Sequence, residues 1–431
     1  MPQRFASLAE WLAWFETLHP KKIDMSLGRI RTVLERLELV PPPYKVITVG
    51  GTNGKGSCVA ILESIYRHAG YRVGAFTSPH LVRFNERIRF DGMDAADAEL
   101  VELFEAIDAK LGDVTLSYFE ASAVAAFLLF ARRNADVAVL EVGMGGRLDA
   151  VNALDADAAL IASVDLDHTE WLGPDREAIG REKAGIMRPG RPAVVGDASP
   201  PASLEAHANA IGARFALVGR EFTFAREGDG WRFDGFGASH ASLPVVPFGG
   251  DVQYSNMAAC VAVVELMRPQ LPLPHDAIRA GLAGARLRGR TERRARNGVE
   301  WIFDVAHNPS AARVLRRTVD ALPPKRTIAV FAAMEDKDLD GVLEPFASIV
   351  ERWHIARPDS ERGASVESVR SKLERLGAAH VLAHADIPAA CAAAEAQARP
   401  GDRVLVFGSF YTVGPALDAL ELYSSPPAGG G

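Results

Sequence analysis

The chain has 431 residues, 48% of them hydrophobic and 24% charged, an ordinary globular composition at a length that exceeds what one core organises, so two or three domains are expected. A formal net charge of -7 argues against a general nucleic-acid binder. Three scattered cysteines, Cys58, Cys260 and Cys391, lack CxxC spacing, which argues against a disulfide framework or zinc cluster and for a reducing, cytoplasmic setting.

The opening stretch "MPQRFASLAEWLAWFETLHP" carries Glu10 and Glu16 among its apolar positions and so does not read as an export signal. "YKVITV" (44–49) is a continuous apolar run of the kind a parallel strand shows when both faces are covered. It leads into "GGTNGKGS" (50–57), after which Cys58, Ile61, Leu62, Ile65 and Ala69 mark one helical face that Gly70 ends. "YRVGAF" (71–76), "VAVLEV" (137–142) and "AALIASV" (158–164) repeat the strand pattern. Between them "ASAVAAFLLFA" (121–131) reads as a buried helix, too short to span a membrane. Residues 213–250 alternate in short runs broken by glycine, which predicts an antiparallel insertion, and a helix returns at 254–267. The arginine-rich "ARLRGRTERRARNG" (285–298) precedes a second series of strands and helices: "VEWIFDV", "TIAVFAA", "RWHIAR", "AHVLA" and "DRVLVFG". The expected fold is α/β: an N-terminal P-loop-type parallel-sheet domain with an antiparallel insertion over 1–290, a smaller Rossmann-like α/β domain over 291–424, and a disordered tail, 425–431.

A strand, a glycine turn and a helix opening with Lys and Ser form a P-loop arrangement, in which backbone N–H groups and the helix N-terminus hold phosphate oxygens. The spelling departs from the common Walker form: Val49 stands where that form has Gly, and Gly56 separates Lys55 from Ser57. A plain glycine turn is the alternative. Phosphoryl transfer needs a divalent metal. Glu141, Asp165, Asp167 and His168 stand at the carboxyl ends of two strands, where α/β folds bind ligands, although each acid alone could simply be solvated. In "DREAIGREKAGIM" (175–187), Ile179, Lys183 and Ile186 fall at i, i+4 and i+7, and spacing alone favours Lys183 as a snorkelling surface residue.

Taken in order, "GGTNGKGS", "TSPHL", "EVGMGGRLDAVN", "DHTEWLG", "REKAGIM", "DVAHNP" and "VFGSFYTVG" resemble the folylpolyglutamate synthase and dihydrofolate synthase family, relatives of the Mur ligases. The likeness runs from "KIDMSLGRI" near residue 22 to near residue 414. It implies ATP-dependent amide formation, in which a carboxylate becomes an acyl phosphate that the amine of L-glutamate attacks. Carried onto matching positions, it implies nucleotide contacts from Gly51, Thr52, Asn53, Gly54, Lys55, Gly56, Ser57, Asn256, Arg290, Asp304 and His307, the last two as the domains close and exclude water. It implies Mg2+ at two sites, with Ser57, Glu141 and His168 as ligands, and catalytic roles for Lys55, His168 and Lys183, the lysine carbamylated. The family commonly has Gly where Val305 stands. Ser78, His80, Arg83 and Phe84 in "TSPHLVRFNERI" are expected to meet the pterin or folate; the alternative is that Arg83 and Arg87 decorate a surface loop, and that the arginines around Arg290 form a solvated linker.

The partners this implies are dihydropteroate, reduced folates and L-glutamate, with no nucleic acid and no membrane, on a monomer. A monofunctional folylpolyglutamate synthase, a peptidoglycan Mur ligase, a P-loop phosphotransferase and a non-catalytic nucleotide-binding module are the competing readings. About 45 residues precede the phosphate loop, fewer than the extra domain a Mur enzyme needs for its UDP-linked substrate.

Overall fold

Val46, Ile47, Thr48 and Val49 are all fully buried, so the first strand, β1 (Lys45–Gly50), is covered on both faces as its unbroken apolar run predicts. The computed structural model describes residues 4–21, 24, 26–274 and 276–423. The expected tail over 425–431 and Lys22, Ile23 and Met25 of "KIDMSLGRI" lie outside the described residues. Two compact units form: Met1–His80, Phe84–Pro247 and Gln253–Arg286 in the first, Leu81–Arg83, Phe248–Val252 and Leu287–Gly431 in the second. The passage at Arg286–Leu287 lies close to the expected division near 290. The two short segments that join the second unit were not anticipated.

In the first unit β1 is joined by β2 (Val73–Phe76), β3 (Ile88–Phe90), β4 (Met93–Asp94), β5 (Val137–Glu141), β6 (Ala158–Ile161), β7 (Pro192–Val195) and β8 (Arg214–Leu217). The sheet order is β4-β3-β2-β5-β1-β6-β7-β8, parallel from β2 to β8 and antiparallel at β3 and β4. β1 therefore lies between β5 and β6, with Val49 opposite both Glu141 and Leu160. That register brings the carboxyl ends of three strands together, the position where open α/β sheets bind ligands.

The helix Lys55–His68 after β1 is buried all round from Ser57 to Tyr66, not on one face as its apolar spacing predicts. The reason is close packing on its far side. A methyl group added at Gly281 of the helix Ala277–Gly284 would stand 2.7 Å from the Ile65 nitrogen, so only glycine lets the two backbones touch. The apolar run 121–131 lies in the buried helix Tyr118–Arg132, capped by Ser117 and Glu120 in a reciprocal capping box.

The antiparallel insertion is a three-stranded sheet of β9 (Phe222–Glu227), β10 (Gly230–Gly235) and β11 (Ala238–Leu243), with Trp231 and Phe233 fully buried. The run that opens the predicted insertion, Arg214–Leu217, belongs instead to the large sheet as β8. The expected helix at 254–267 is Gln253–Met267.

The second unit holds a six-stranded sheet of β12 (Glu292–Arg296), β13 (Val299–Asp304), β14 (Thr327–Phe331), β15 (Val350–Ile355), β16 (Val381–Ala383) and β17 (Arg403–Phe407) in the order β12-β13-β17-β14-β15-β16. All pairings are parallel except β12 with β13. The arginine-rich stretch is thus not a solvated linker throughout. Its second half is the edge strand of a hairpin turning at Asn297 and Gly298, both with positive φ, and it pairs Arg293 with Glu300 and Arg296 with Glu395.

Candidate active site

The loop after β1 is held by its own backbone and by the segment that follows β6. Gly51 and Gly54 take φ of 145° and 85°, and a methyl group at Gly54 would stand 2.9 Å from Asn256 Oδ1. Thr52 is held twice: its N–H donates to Ser163 O at 2.7 Å, and its hydroxyl donates to Asp165 O at 3.0 Å. Asn53 N donates to Ser163 Oγ at 3.1 Å, which in turn donates to Asn53 O. Lys55 Nζ lies back over the loop, donating to Gly51 O at 3.0 Å and Thr52 O at 3.2 Å. A cation and the start of a helix thus point into one turn, the arrangement that holds phosphate.

Ser57 is buried in the first turn, and its hydroxyl accepts from Gln253 Nε2 at 3.3 Å. Gln253 also accepts from Asn256 Nδ2 at 3.1 Å, so one helix face carries both the brace of Ser57 and the asparagine behind Gly54. Glu141 is 5% exposed, and its Oε2 accepts from Ser78 N at 3.2 Å. A methyl group at Gly56 would lie 3.7 Å from that same oxygen, which places the carboxylate beside the loop helix. Hydroxyl and carboxylate oxygens suit Mg2+. Among the described residues no group of three or more His, Cys, Asp and Glu side chains converges into a metal cage.

Lys183 is the penultimate residue of the helix Arg176–Ala184 and only 3% exposed, which overturns the snorkelling reading; Ile186 lies past the helix end. Burial first, then repulsion from Lys55, pulls its ammonium down to about 7, against the attraction of Asp167 and Asp149. Asp149 is also buried, and burial pushes its carboxyl up to about 6 although the N–H groups of Met144, Val151 and Gly143 and the charge of Lys55 oppose it. Asp149 and Gln253 are site residues that sequence reasoning missed. The signals were available: an acid closing a glycine-rich loop after a strand, and a glutamine one turn before Asn256.

His168 has a left-handed backbone (φ 51°) at the start of the helix Thr169–Leu172, and its N–H donates to Asp167 Oδ1 at 2.9 Å. Of the expected folate contacts, Ser78 lies beside Glu141. His80 Nδ1 accepts from Arg87 Nε at 2.9 Å, and burial first and Arg87 second hold the imidazole at about 4. The Phe84 ring is 5% exposed among His80, Phe104 and Tyr118, so its faces serve the core.

Arg83, Arg290, Asp304 and His307 belong to the second unit. Asp304 is the last residue of β13 and accepts from Thr291 N, Thr291 Oγ1 and Ala306 N at 2.8, 3.1 and 2.9 Å; burial raises its carboxyl against the pull of Arg290 and these donors. Arg290 lies over the Phe410 ring at 5.2 Å. His307 Nδ1 bonds Val305 O at 2.9 Å. Val305, where a glycine is common, fits because its own neighbour Gly289 has no side chain: a methyl group there would stand 3.2 Å from Val305 Cγ1.

Comparison with known proteins follows the same division. Residues 49–264 match the Mur ligase middle domain, and 289–410 match the Mur ligase glutamate ligase domain. The chain is 41% identical over 423 residues to the dihydrofolate synthase/folylpolyglutamate synthase of Escherichia coli, covering 97% of each. The chain belongs to the dihydrofolate synthase/folylpolyglutamate synthase family. Within that family an E. coli FolC structure in complex with DHPP and ADP aligns at TM-score 0.91 and 40% identity, over 98% of this chain and 99% of that one. A crystal structure of a bifunctional folylpolyglutamate synthase/dihydrofolate synthase with Mn, AMPPNP and L-glutamate bound aligns at TM-score 0.89 and 39% identity, over 97% of this chain and 99% of that one. Membership in the dihydrofolate synthase/folylpolyglutamate synthase family sets aside the peptidoglycan ligase and the simple phosphotransferase. Among the described residues no helix is long and apolar enough to cross a membrane.

Proposed function

We propose that this protein is an ATP-dependent ligase that joins L-glutamate to dihydropteroate, giving dihydrofolate, and to reduced folates, extending their glutamate tail. The observation that carries the reading is the full-length match to a relative named for both activities, on a chain whose phosphate loop, Glu141 and Lys183 stand in one unit.

A carboxylate resists attack by an amine because its charge is delocalised and oxide cannot leave. Attack of a carboxylate oxygen on the γ-phosphorus of ATP releases ADP and leaves an acyl phosphate. The glutamate nitrogen then bonds the acyl carbon, the C–O bond to phosphate breaks, and the amine loses a proton. The amides from Gly51 to Ser57 and the Lys55 ammonium stabilise the charge that develops on the moving phosphoryl group. Ser57 and Glu141 would hold one Mg2+, which supplies charge neutralisation on the phosphate oxygens. Lys183 with its amine near 7 is neutral often enough at physiological pH to add to CO2, forming an N–C bond and releasing a proton. The resulting carbamate and His168 would hold a second ion. For Asn256, Arg290, Asp304 and His307 the reading keeps nucleotide roles, and for Ser78, His80, Arg83 and Phe84 folate roles; the buried Phe84 ring limits its part to positioning His80. A monomeric, cytoplasmic enzyme completes the reading, and sedimentation tests the first of these.

The experiment is steady-state turnover of the full chain with ATP, Mg2+ and L-glutamate, using dihydropteroate in one series and tetrahydrofolate in the other. Glutamate-dependent ADP release is expected with both. Release with tetrahydrofolate alone would establish a monofunctional enzyme, and release with neither would overturn the assignment.

A further inference from the structure

Lys183 sits in the last turn of its helix, where backbone carbonyls have no partner within the helix. The chain just beyond the helix supplies partners for Glu182 O, Lys183 O and Ala184 O from Gly185 N, Ile186 N and Met187 N, and the glycine-rich loop that follows Glu141 adds further donors to Glu182 O and Gly185 O. Arg147 N donates to Glu182 O at 2.8 Å, and the Arg147 guanidinium reaches Glu182 Oε1 at 2.9 and 3.1 Å. Asn152, 3% exposed, spans the junction: its Nδ2 donates both to Arg147 O at 2.9 Å and to Gly185 O at 3.0 Å, while its Oδ1 accepts from Arg188 at 2.9 Å.

The two backbones also meet without side chains between them. A methyl group at Gly146 would stand 2.8 Å from Glu182 O and 3.1 Å from Lys183 Cα, and one at Gly185 would stand 2.6 Å from Arg147 Cα. These contacts bear on Glu182, immediately before Lys183, on Gly185, two residues after it, and on its own Cα. A loop that merely needed covering could pack anywhere along the helix. This one grips the turn that aims the buried amine, and it starts two residues after the carboxylate assigned to the metal.

We propose that Asn152 is a positioning residue for the ligase reaction: through the Gly146–Asn152 loop it fixes the distance between Lys183 and the Glu141 side of the phosphate loop. The inference rests on the reading of Lys183 as the carbamate-bearing lysine. It goes further by assigning the element that holds that lysine in place.

The test uses the full chain with Asn152→Ala and, separately, Gly146→Ala. Carbamate occupancy is read by 13C NMR in 13C-labelled bicarbonate, turnover by ADP release, and the integrity of the nucleotide loop by ADP titration. In Asn152→Ala the carbamate signal should fall and kcat should drop about tenfold to a hundredfold, with ADP affinity kept and turnover partly restored by added bicarbonate. Gly146→Ala should show the same pattern, and it decides the matter if Asn152→Ala fails to bind ADP. Unchanged carbamate occupancy and kcat in a variant that binds ADP would overturn the proposal. If the wild-type protein shows no carbamate signal, the carbamate reading fails by itself; a selective loss of kcat in the variants would then still support the positioning role, and its absence would end it.

Discussion

Replacing Lys183 by methionine keeps the length of the side chain and removes the amine. In the folded chain burial and Lys55 hold that amine at about 7, whereas the unfolded chain has the ordinary value of 10.5. Between those values the unfolded state binds a proton that the folded state lacks, so the stability of the unmodified protein rises with pH across the window. Below it the folded state bears the whole penalty, on the order of 5 kcal/mol, which falls to about 3 kcal/mol near pH 8.5 and vanishes towards the upper limit. Lys183→Met removes the penalty. Urea unfolding in CO2-free buffer should therefore find the variant more stable than the wild type by several kcal/mol at about pH 6, with the gap closing as pH rises. Turnover of the variant should fall by at least about a hundredfold, the scale of a lost transition-state contact. Added bicarbonate should stabilise the wild type and leave the variant unchanged. A stability difference independent of pH would refute the argument, because it would mean that Lys183 does not carry a buried, penalised charge.

Lys55→Ala should lower glutamate-dependent ADP release by about a hundredfold to a thousandfold, since it removes the loop cation proposed to stabilise the moving phosphoryl group; initial-rate assays read this directly. Gly54→Ala forces a side chain into φ of 85° and towards Asn256 Oδ1, a strain of about 1–2 kcal/mol before the clash, and ADP titration should show at least about tenfold weaker binding. Arg87→Ala removes the second cause of the low His80 value, so the imidazole should titrate higher than about 4 while burial still keeps it below 6.5. An NMR titration of His80 checks this, and the folate KM of the variant should vary at pH values between about 4 and 6.5, where the wild-type imidazole is already losing its proton and its charge.

Most strands were legible because burial on both faces leaves an unbroken apolar run, as in β1, β5 and β17. The helix Lys55–His68 was legible in type but not in environment. Its apolar spacing predicts one buried face, and what covers the other is a contact with Gly281, over two hundred residues away, which no local pattern encodes. β12 was hidden for the opposite reason: its side chains are charged, and only the Asn297-Gly298 turn marks it as half of a hairpin. In the site, Lys183 shows the limit most clearly. Spacing places it on the surface, and burial puts it within reach of the charges of Lys55, Asp167 and Asp149.

The odd spelling of the phosphate loop acquires a physical reason from the same geometry. A Walker loop has its hydroxyl directly after the lysine; here Gly56 intervenes and the hydroxyl, Ser57, comes one position later. A methyl group at Gly56 would already be in van der Waals contact with the Glu141 carboxylate, at 3.7 and 3.9 Å from its two oxygens. Any larger side chain there would fill the space between the helix start and the carboxylate, where the cation proposed for Ser57 and Glu141 would fit. Glycine at this position keeps the carboxylate accessible from the loop. Val49, in turn, can replace the Walker glycine because it is an interior strand residue, fully buried and paired with Glu141 and Leu160 before the turn begins. The turn starts two residues later, at Gly51, where the backbone leaving β1 first takes a positive φ.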